Sequence, residues 1–121
     1  MVSQWEDTWR EAVRACNVYN GNLTSIHDAF SDKLIYQYVA KNSTDRPGTF
    51  WIGGAKDTHA VPTTWTWIDG ENWNYNNWAA GQPDNNPAYQ YNYIYVDSID
   101  GKWYSDEDYN TKFFVCEVPS M

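Results

Sequence analysis

Cysteine is nearly absent from this chain: its 121 residues contain two, Cys16 and Cys116, near opposite ends. That separation excludes a zinc ribbon and a Cys-x-x-Cys redox pair. Two readings stay open, a pair of buried thiols or a long-range disulfide; closing a loop of about 100 residues stabilises a fold by about 4.7 kcal/mol on the chain-entropy account. The glycosylation sequons Asn22-Leu23-Thr24 and Asn42-Ser43-Thr44 lean toward a secreted or extracellular protein, and so toward the disulfide. Basic residues are also few. Lys and Arg number 8 against 16 for Asp and Glu, a formal charge of −8, and such a field repels phosphate backbones and anionic lipid, which argues against nucleic acid as a partner. No apolar run approaches the roughly 18 residues that cross a bilayer, so membrane insertion is not expected. No signal-type segment opens the chain, and Met1 reads as the start of a domain taken from a longer precursor. Histidines are limited to His27 and His59, neither with a nucleophile or a metal-spaced partner in sequence. There is no glycine-rich phosphate loop, and the acidic pairs Glu6-Asp7 and Asp106-Glu107 read as solvated faces. No catalytic residue is expected, and the protein is read as a non-enzyme.

What the chain has in abundance is aromatic side chains. Trp 8, Tyr 10 and Phe 4 make up 18% of the residues, and Trp and Tyr join a large contact area to a hydrogen-bonding tip. A core built from them is compatible with a mean hydropathy of −0.74. The length fits one domain, residues 1–121.

Thr8-Trp9-Arg10-Glu11 has the form of a capping box and predicts a helix over 9–19, with Trp9, Ala12, Val13 and Cys16 on its buried face and Gly21 as its left-handed stop. A second helix is expected over 28–40, with Phe30, Leu34, Ile35, Tyr38 and Val39 as the buried stripe. Strands are expected at Phe50-Trp51-Ile52, closed by Gly53-Gly54, at 65–68 before the turn Asp69-Gly70, at 93–97, and at 112–118. Residues 71–92 lack periodicity but contain Trp73, Tyr75 and Trp78, so an ordered and functional loop is expected. Helices followed by strands and a long loop make an α+β domain.

Within that loop lies Trp78-Ala79-Ala80-Gly81-Gln82-Pro83-Asp84-Asn85. Such residues commonly form plain solvated turns. A cis bond before Pro83 would instead turn the Gln82 amide and the Asp84 carboxylate to one side, where they offer oxygens to a hard cation such as calcium, which gathers about six to eight of them.

Over nearly its whole length the chain resembles the C-type lectin-like family. The resemblance is carried by Trp9 and Ala12 with Cys16; Gly21-Asn22-Leu23-Thr24-Ser25-Ile26; Trp51-Ile52-Gly53-Gly54; Trp65-Thr66-Trp67 with Asp69-Gly70; Asn77-Trp78; Gln82-Pro83-Asp84; Gly101-Lys102-Trp103; and Phe114-Val115-Cys116-Glu117. It implies two helices flanking small antiparallel sheets, a Cys16–Cys116 disulfide, and a long loop that holds calcium and sugar. It makes Gln82 and Asp84 the pair that binds both, and the Gln-Pro-Asp order resembles members that prefer galactose and N-acetylgalactosamine. Tyr89 and Tyr91 are candidates to stack on the sugar; packing within the loop is the alternative for both.

The sequence also departs from the family. Trp103-Tyr104-Ser105 stands where working calcium sites carry Trp-Asn-Asp, and a one-residue shift with a bulge would bring Asp106 in as a substitute ligand. The family's second disulfide is missing, its positions matching Asn92 with Asp108 or Tyr93 with Tyr109. The first strand looks short or truncated, leaving an edge near Phe113-Phe114 for a neighbouring chain to cover and making a homo-oligomer an option. The expected function is calcium-assisted binding of galactose-type sugars on glycans or glycoproteins. The alternative is a calcium-independent module with a protein or other ligand, and ice-binding or matrix use forms a third class.

Overall fold

A computed structural model describes residues 1–42, 48–60, 64–84 and 90–118. The elements run α1 (Trp9–Val18), β1 (Asn22–Leu23), α2 (Ala29–Asn42), β2 (Thr49–Asp57), β3 (Thr64–Trp67), β4 (Tyr93–Asp97), β5 (Trp103–Asp106), β6 (Phe113–Phe114) and β7 (Cys116–Glu117). The main sheet has the order β3-β2-β4-β5, with β6 parallel to β2, and β1 pairs with β7 in a second small sheet.

Thr8 caps α1 by accepting from the Glu11 amide at 3.3 Å. Only half of the expected box forms, because Glu11 turns to Arg14 at 2.9 Å and the Thr8 amide donates to Asp7. Trp9, Ala12 and Cys16 are buried as their helical spacing requires. Cys16 is disulfide-bonded to Cys116 on β7, which settles the choice between thiols and disulfide. After α1 the left-handed residue is Asn20, with φ 61°, rather than Gly21. Gly21 lacks a side chain for another reason: a Cβ there would run into the Glu117 carbonyl on β7.

The stripe expected on α2 is largely overturned. Phe30 is 73% exposed, Leu34 53% and Tyr38 57%, whereas Val39 and Asp32 are each 2% exposed. Positions 32, 35, 36 and 39 share the inward face at helical spacing. A carboxylate takes a core place there because it finds donors: Asn77 Nδ2 at 2.8 Å and Trp103 Nε1 at 3.3 Å. Burial raises the pKa of Asp32, and these hydrogen bonds work against that rise.

β2 does not stop at Gly53-Gly54 but continues to Asp57. A Cβ on Gly54 would collide with Ile94 on β4, so these glycines let neighbours approach rather than end the strand. The final strand is split into β6 and β7 around Val115, which bridges Val2. The edge at Phe113-Phe114 needs no neighbouring chain: Ser3 N donates to Phe114 O at 2.9 Å, Ser3 Oγ accepts from Phe114 N at 3.0 Å, and Asp7 bridges Lys112.

Two apolar clusters lie on opposite sides of this scaffold. One gathers Trp9, Ala12, Leu23, Trp51 and Phe114 around the disulfide. The other gathers Ile26, Val39, Phe50, Ile52, Ile94, Val96 and Trp103 under α2 and the long loop.

Candidate functional site

β5 is the edge of the main sheet, and the long loop covers it. Trp103 N donates to Asn77 O and Ala79 N donates to Trp103 O, each at 2.9 Å, so the loop runs beside β5 as a short parallel bridge. Rings hold it down. Trp73, Tyr75 and Trp78 each meet Trp103 edge-on, with centroids 5.8–5.9 Å away. Asn77 fixes the crossing by donating to Asp32 at 2.8 Å and to Gly101 O at 3.0 Å. Trp65, half-buried, lies 5.1 Å from Trp78 and carries Lys56 Nζ 5.4 Å above its ring, so partly exposed indoles border the loop.

A turn through Gly81, with φ 81°, then carries the chain back over β5. The Gln82–Pro83 bond is cis, as the sequence suggested. Gln82 Oε1 accepts from Ser105 N at 3.0 Å and from Ser105 Oγ at 3.1 Å. Asp84 N donates to Ser105 Oγ at 3.0 Å. One serine thus ties both loop residues to the edge strand.

The sequence-predicted residues are only partly brought together. Gln82 and Asp84 meet at Ser105. Asp106 does not join them: β4 and β5 pair without a break from Tyr93↔Asp106 to Val96↔Trp103, so there is no bulge. Neighbouring strand residues face opposite sides. With Ser105 toward Gln82, Asp106 faces Lys112 Nζ at 3.0 Å and accepts from Asn110 Nδ2 at 2.9 Å. Lys112 also sits 4.0 Å above the Tyr95 ring. Tyr104, on that same face, stacks on Tyr95 and donates to Asp100 at 2.7 Å, and that bond pushes its pKa up to about 12. Tyr91 is half-buried and within electrostatic reach of Tyr109. Tyr89 lies outside the described residues.

Calcium was the cofactor expected here, and the described residues alone do not suit it. The cation gathers about six to eight oxygens, with affinity set by ligand charge and rigidity. Here both Ser105 donors occupy Gln82 Oε1, Ser105 brings no charge, and Asp106 is committed to Lys112. Among the described residues no group of three His, Cys, Asp or Glu side chains is placed to hold a metal ion.

Sequence reasoning missed Ser105 and Asp32. The two-residue period of β5 was the available signal for Ser105; nothing in the pattern of α2 marked Asp32. Of the two histidines, His59 is exposed and His27 is held by side-chain contacts. His27 Nδ1 is 2.7 Å from Asn74 Oδ1, and its Nε2 is 3.0 Å from the Ser25 hydroxyl, which is buried and donates to Asp69 at 2.5 Å.

Comparison with known proteins agrees with this architecture. The Lectin C-type domain family matches residues 6–118. The galactose-specific lectin nattectin of Thalassophryne nattereri is 38% identical over 76 residues, covering 63% of this chain and 46% of nattectin. Human asialoglycoprotein receptor 2 is 31% identical over 115 residues, covering 90% of this chain and 33% of the receptor. The chain therefore spans a third to just under half of these relatives. Among solved structures, the C-type lectin CEL-I of Cucumaria echinata superposes with a TM-score of 0.84 at 24% identity, covering 95% of this chain and 85% of that one. Human lithostathine superposes with a TM-score of 0.85 at 23% identity, covering 98% and 89%. No helix among the described residues is long and apolar enough to cross a membrane. With an aromatic-anchored loop on the sheet edge, a disulfide from first helix to last strand and a family match over 6–118, this chain belongs to the C-type lectin domain family, whose members are non-enzymatic binding proteins.

Proposed function

We propose that this domain binds carbohydrate through its long loop and prefers galactose-type sugars, galactose and N-acetylgalactosamine. The observation that carries the reading is that the Gln82 side chain and the Asp84 backbone amide both meet Ser105, which sets the two residues close together on the edge strand. An amide beside a carboxylate offers both donors and acceptors to two adjacent sugar hydroxyls. The Gln-Pro-Asp order and the similarity to a lectin named as galactose-specific support the preference. Half-buried Trp65 and Trp78 border the loop, and Tyr91 or Tyr89 is the tyrosine proposed to meet the apolar face of the sugar. Because the described oxygens suit calcium poorly, we assign recognition to direct hydrogen bonds; a calcium-assisted mode through Gln82, Asp84 and Asp106 would require Asp106 to leave Lys112. Glycans or glycoproteins in a secreted or extracellular setting are the proposed partners, with the disulfide as support for that compartment. Self-association, which multiplies weak single-site affinities, belongs to the same proposal.

A second reading has its own observation. Both Ser105 donors already satisfy the Gln82 carbonyl, so the loop's amide and aromatic surface is equally suited to a protein or other non-sugar ligand. Calorimetry separates the two, with galactose and mannose titrated in calcium and again in chelator. Galactose binding stronger than mannose binding and unchanged by chelator is expected. Binding lost in chelator would restore the calcium-assisted mode, and no sugar binding in either buffer would favour the second reading.

A further inference from the structure

Where the exit of the long loop meets α1 and the segment after β5, a cleft of about 350 Å³ is lined by Arg10, Gln90, Asn92, Glu107, Asp108 and Tyr109, with Tyr93 beside them. Small-molecule clefts fall in about this range, roughly 300–1,000 Å³. The cleft is separate from Gln82 and Asp84. Tyr93 stacks on Trp9 of α1 at 4.4 Å, whereas Ser105 turns to the opposite face of the sheet.

We propose that this cleft is a second binding site, for a neutral saccharide unit. Its walls are held in place by polar contacts. Asp108 accepts from Arg10 N at 3.0 Å and faces Arg10 Nε at 3.4 Å, the Tyr93 hydroxyl meets the same guanidinium, and Glu107 accepts from Gln90 N at 3.3 Å and from the Tyr109 hydroxyl. Carboxylates, amides, a guanidinium and phenol groups thus alternate acceptors with donors around one space. Sugar hydroxyls do both at once. The Tyr109 ring, 74% exposed, supplies a flat apolar face for the C–H side of a pyranose.

Other ligand classes fit less well. Among the described residues the lining contains no aliphatic side chain for an apolar guest. The described lining carries a formal charge of −1, from Arg10 against Glu107 and Asp108, within a chain of net charge −8, which disfavours anions. A small amine is the remaining competitor. With the loop site, the cleft would give each chain two saccharide sites on opposite faces of the sheet, the arrangement needed to bridge two glycans without self-association.

The test is a backbone NMR titration of the intact chain with methyl β-galactoside, N-acetylglucosamine and, as the competing class, ethanolamine. At least one of the two sugars should shift Arg10, Gln90, Asp108 and Tyr109, and Tyr109→Ala should weaken that response about tenfold. The Tyr109→Ala amide spectrum elsewhere should match the wild type, because an exposed ring is removed. An Arg10→Gln variant serves as the second probe and should weaken the same response. Cleft resonances that stay still with both sugars, that move only with ethanolamine, or that respond equally in wild type and both variants would overturn the proposal.

Discussion

The two sides of this small domain are held by different physics. On the α1 side the cluster of Trp9, Trp51 and Phe114 surrounds a disulfide, and the polar tips of both tryptophans bond to backbone carbonyls: Trp9 Nε1 to Ile52 O and Trp51 Nε1 to Asp7 O, each at 2.9 Å. On the loop side no disulfide is present among the described residues, and the long loop is held by rings around Trp103, by the buried Asp32 carboxylate and by Ser105. Apolar burial and a covalent link are indifferent to pH and ions. Hydrogen bonds to one carboxylate and one hydroxyl are not, and such contacts also leave a surface that reads hydroxyl-bearing ligands. The difference teaches that order in the α1 half does not depend on what the loop binds, while the loop's order and its recognition share the same few groups.

Substitutions separate the halves, and Trp103→Ala should do the most damage. It removes a fully buried indole under the whole loop, at a cost of about 3–5 kcal/mol; chemical denaturation measures the loss, and near-ultraviolet dichroism should report disordered tryptophans. Replacing both cysteines with serine should cost about 2–5 kcal/mol. In that variant, hydrogen exchange at Asn77 and Ala79 should keep its wild-type rank relative to the rest of the chain. Asp32→Leu works the other way: it strands Trp103 Nε1 and leaves Asn77 Nδ2 with only its bond to Gly101 O, costs about 2 kcal/mol, and should speed exchange in the loop while sparing α1.

Much of this arrangement was legible in the sequence. The capping Thr8, the buried Cys16 and the strand at 93–97 follow from local pattern, and the position of the loop follows from aperiodicity combined with aromatics. What stayed hidden has a common cause. Hydropathy assigns Phe30 and Leu34 inward and Asp32 outward, yet donors from elements far along the chain reverse that choice. The Ser105 contacts were hidden likewise, because they depend on which face of β5 meets a loop more than 20 residues earlier in the chain. Gly53 and Gly54 signalled a strand end locally, whereas Leu23 and Ile94 pressing against them give the actual reason for glycine. The Lys112–Asp106 pair was unreadable for the same reason.

A smaller effect sharpens the comparison through pH. Glu117 is exposed overall, but partial burial of its carboxyl, then the hydrogen bond with Asp69, raises its pKa from 4.5 to about 8. For Asp69, burial works upward, but bonds from Glu117, Ser25 and Glu71 outweigh it and hold its pKa low. Between pH 4.5 and about 8 the folded chain therefore keeps a proton that the unfolded chain has lost. The Glu117 contribution to stability is complete below that window, declines as pH rises through it, and levels off above, whereas the low pKa of Asp69 acts in the opposite sense toward acid. Glu117→Gln should flatten that part of the stability curve, measured by urea denaturation across the window.

The central claim is that Ser105, rather than a metal, fastens the Gln82–Asp84 segment to the sheet. Ser105→Ala should cost about 1 kcal/mol overall, but its local effect is the direct test. Hydrogen exchange at the Asp84 amide, which donates to the Ser105 hydroxyl, should be slow in wild type and equally slow in calcium and in chelator, and fast in Ser105→Ala under both conditions. Protection that appears in wild type only when calcium is added, or that survives in Ser105→Ala, would contradict the account.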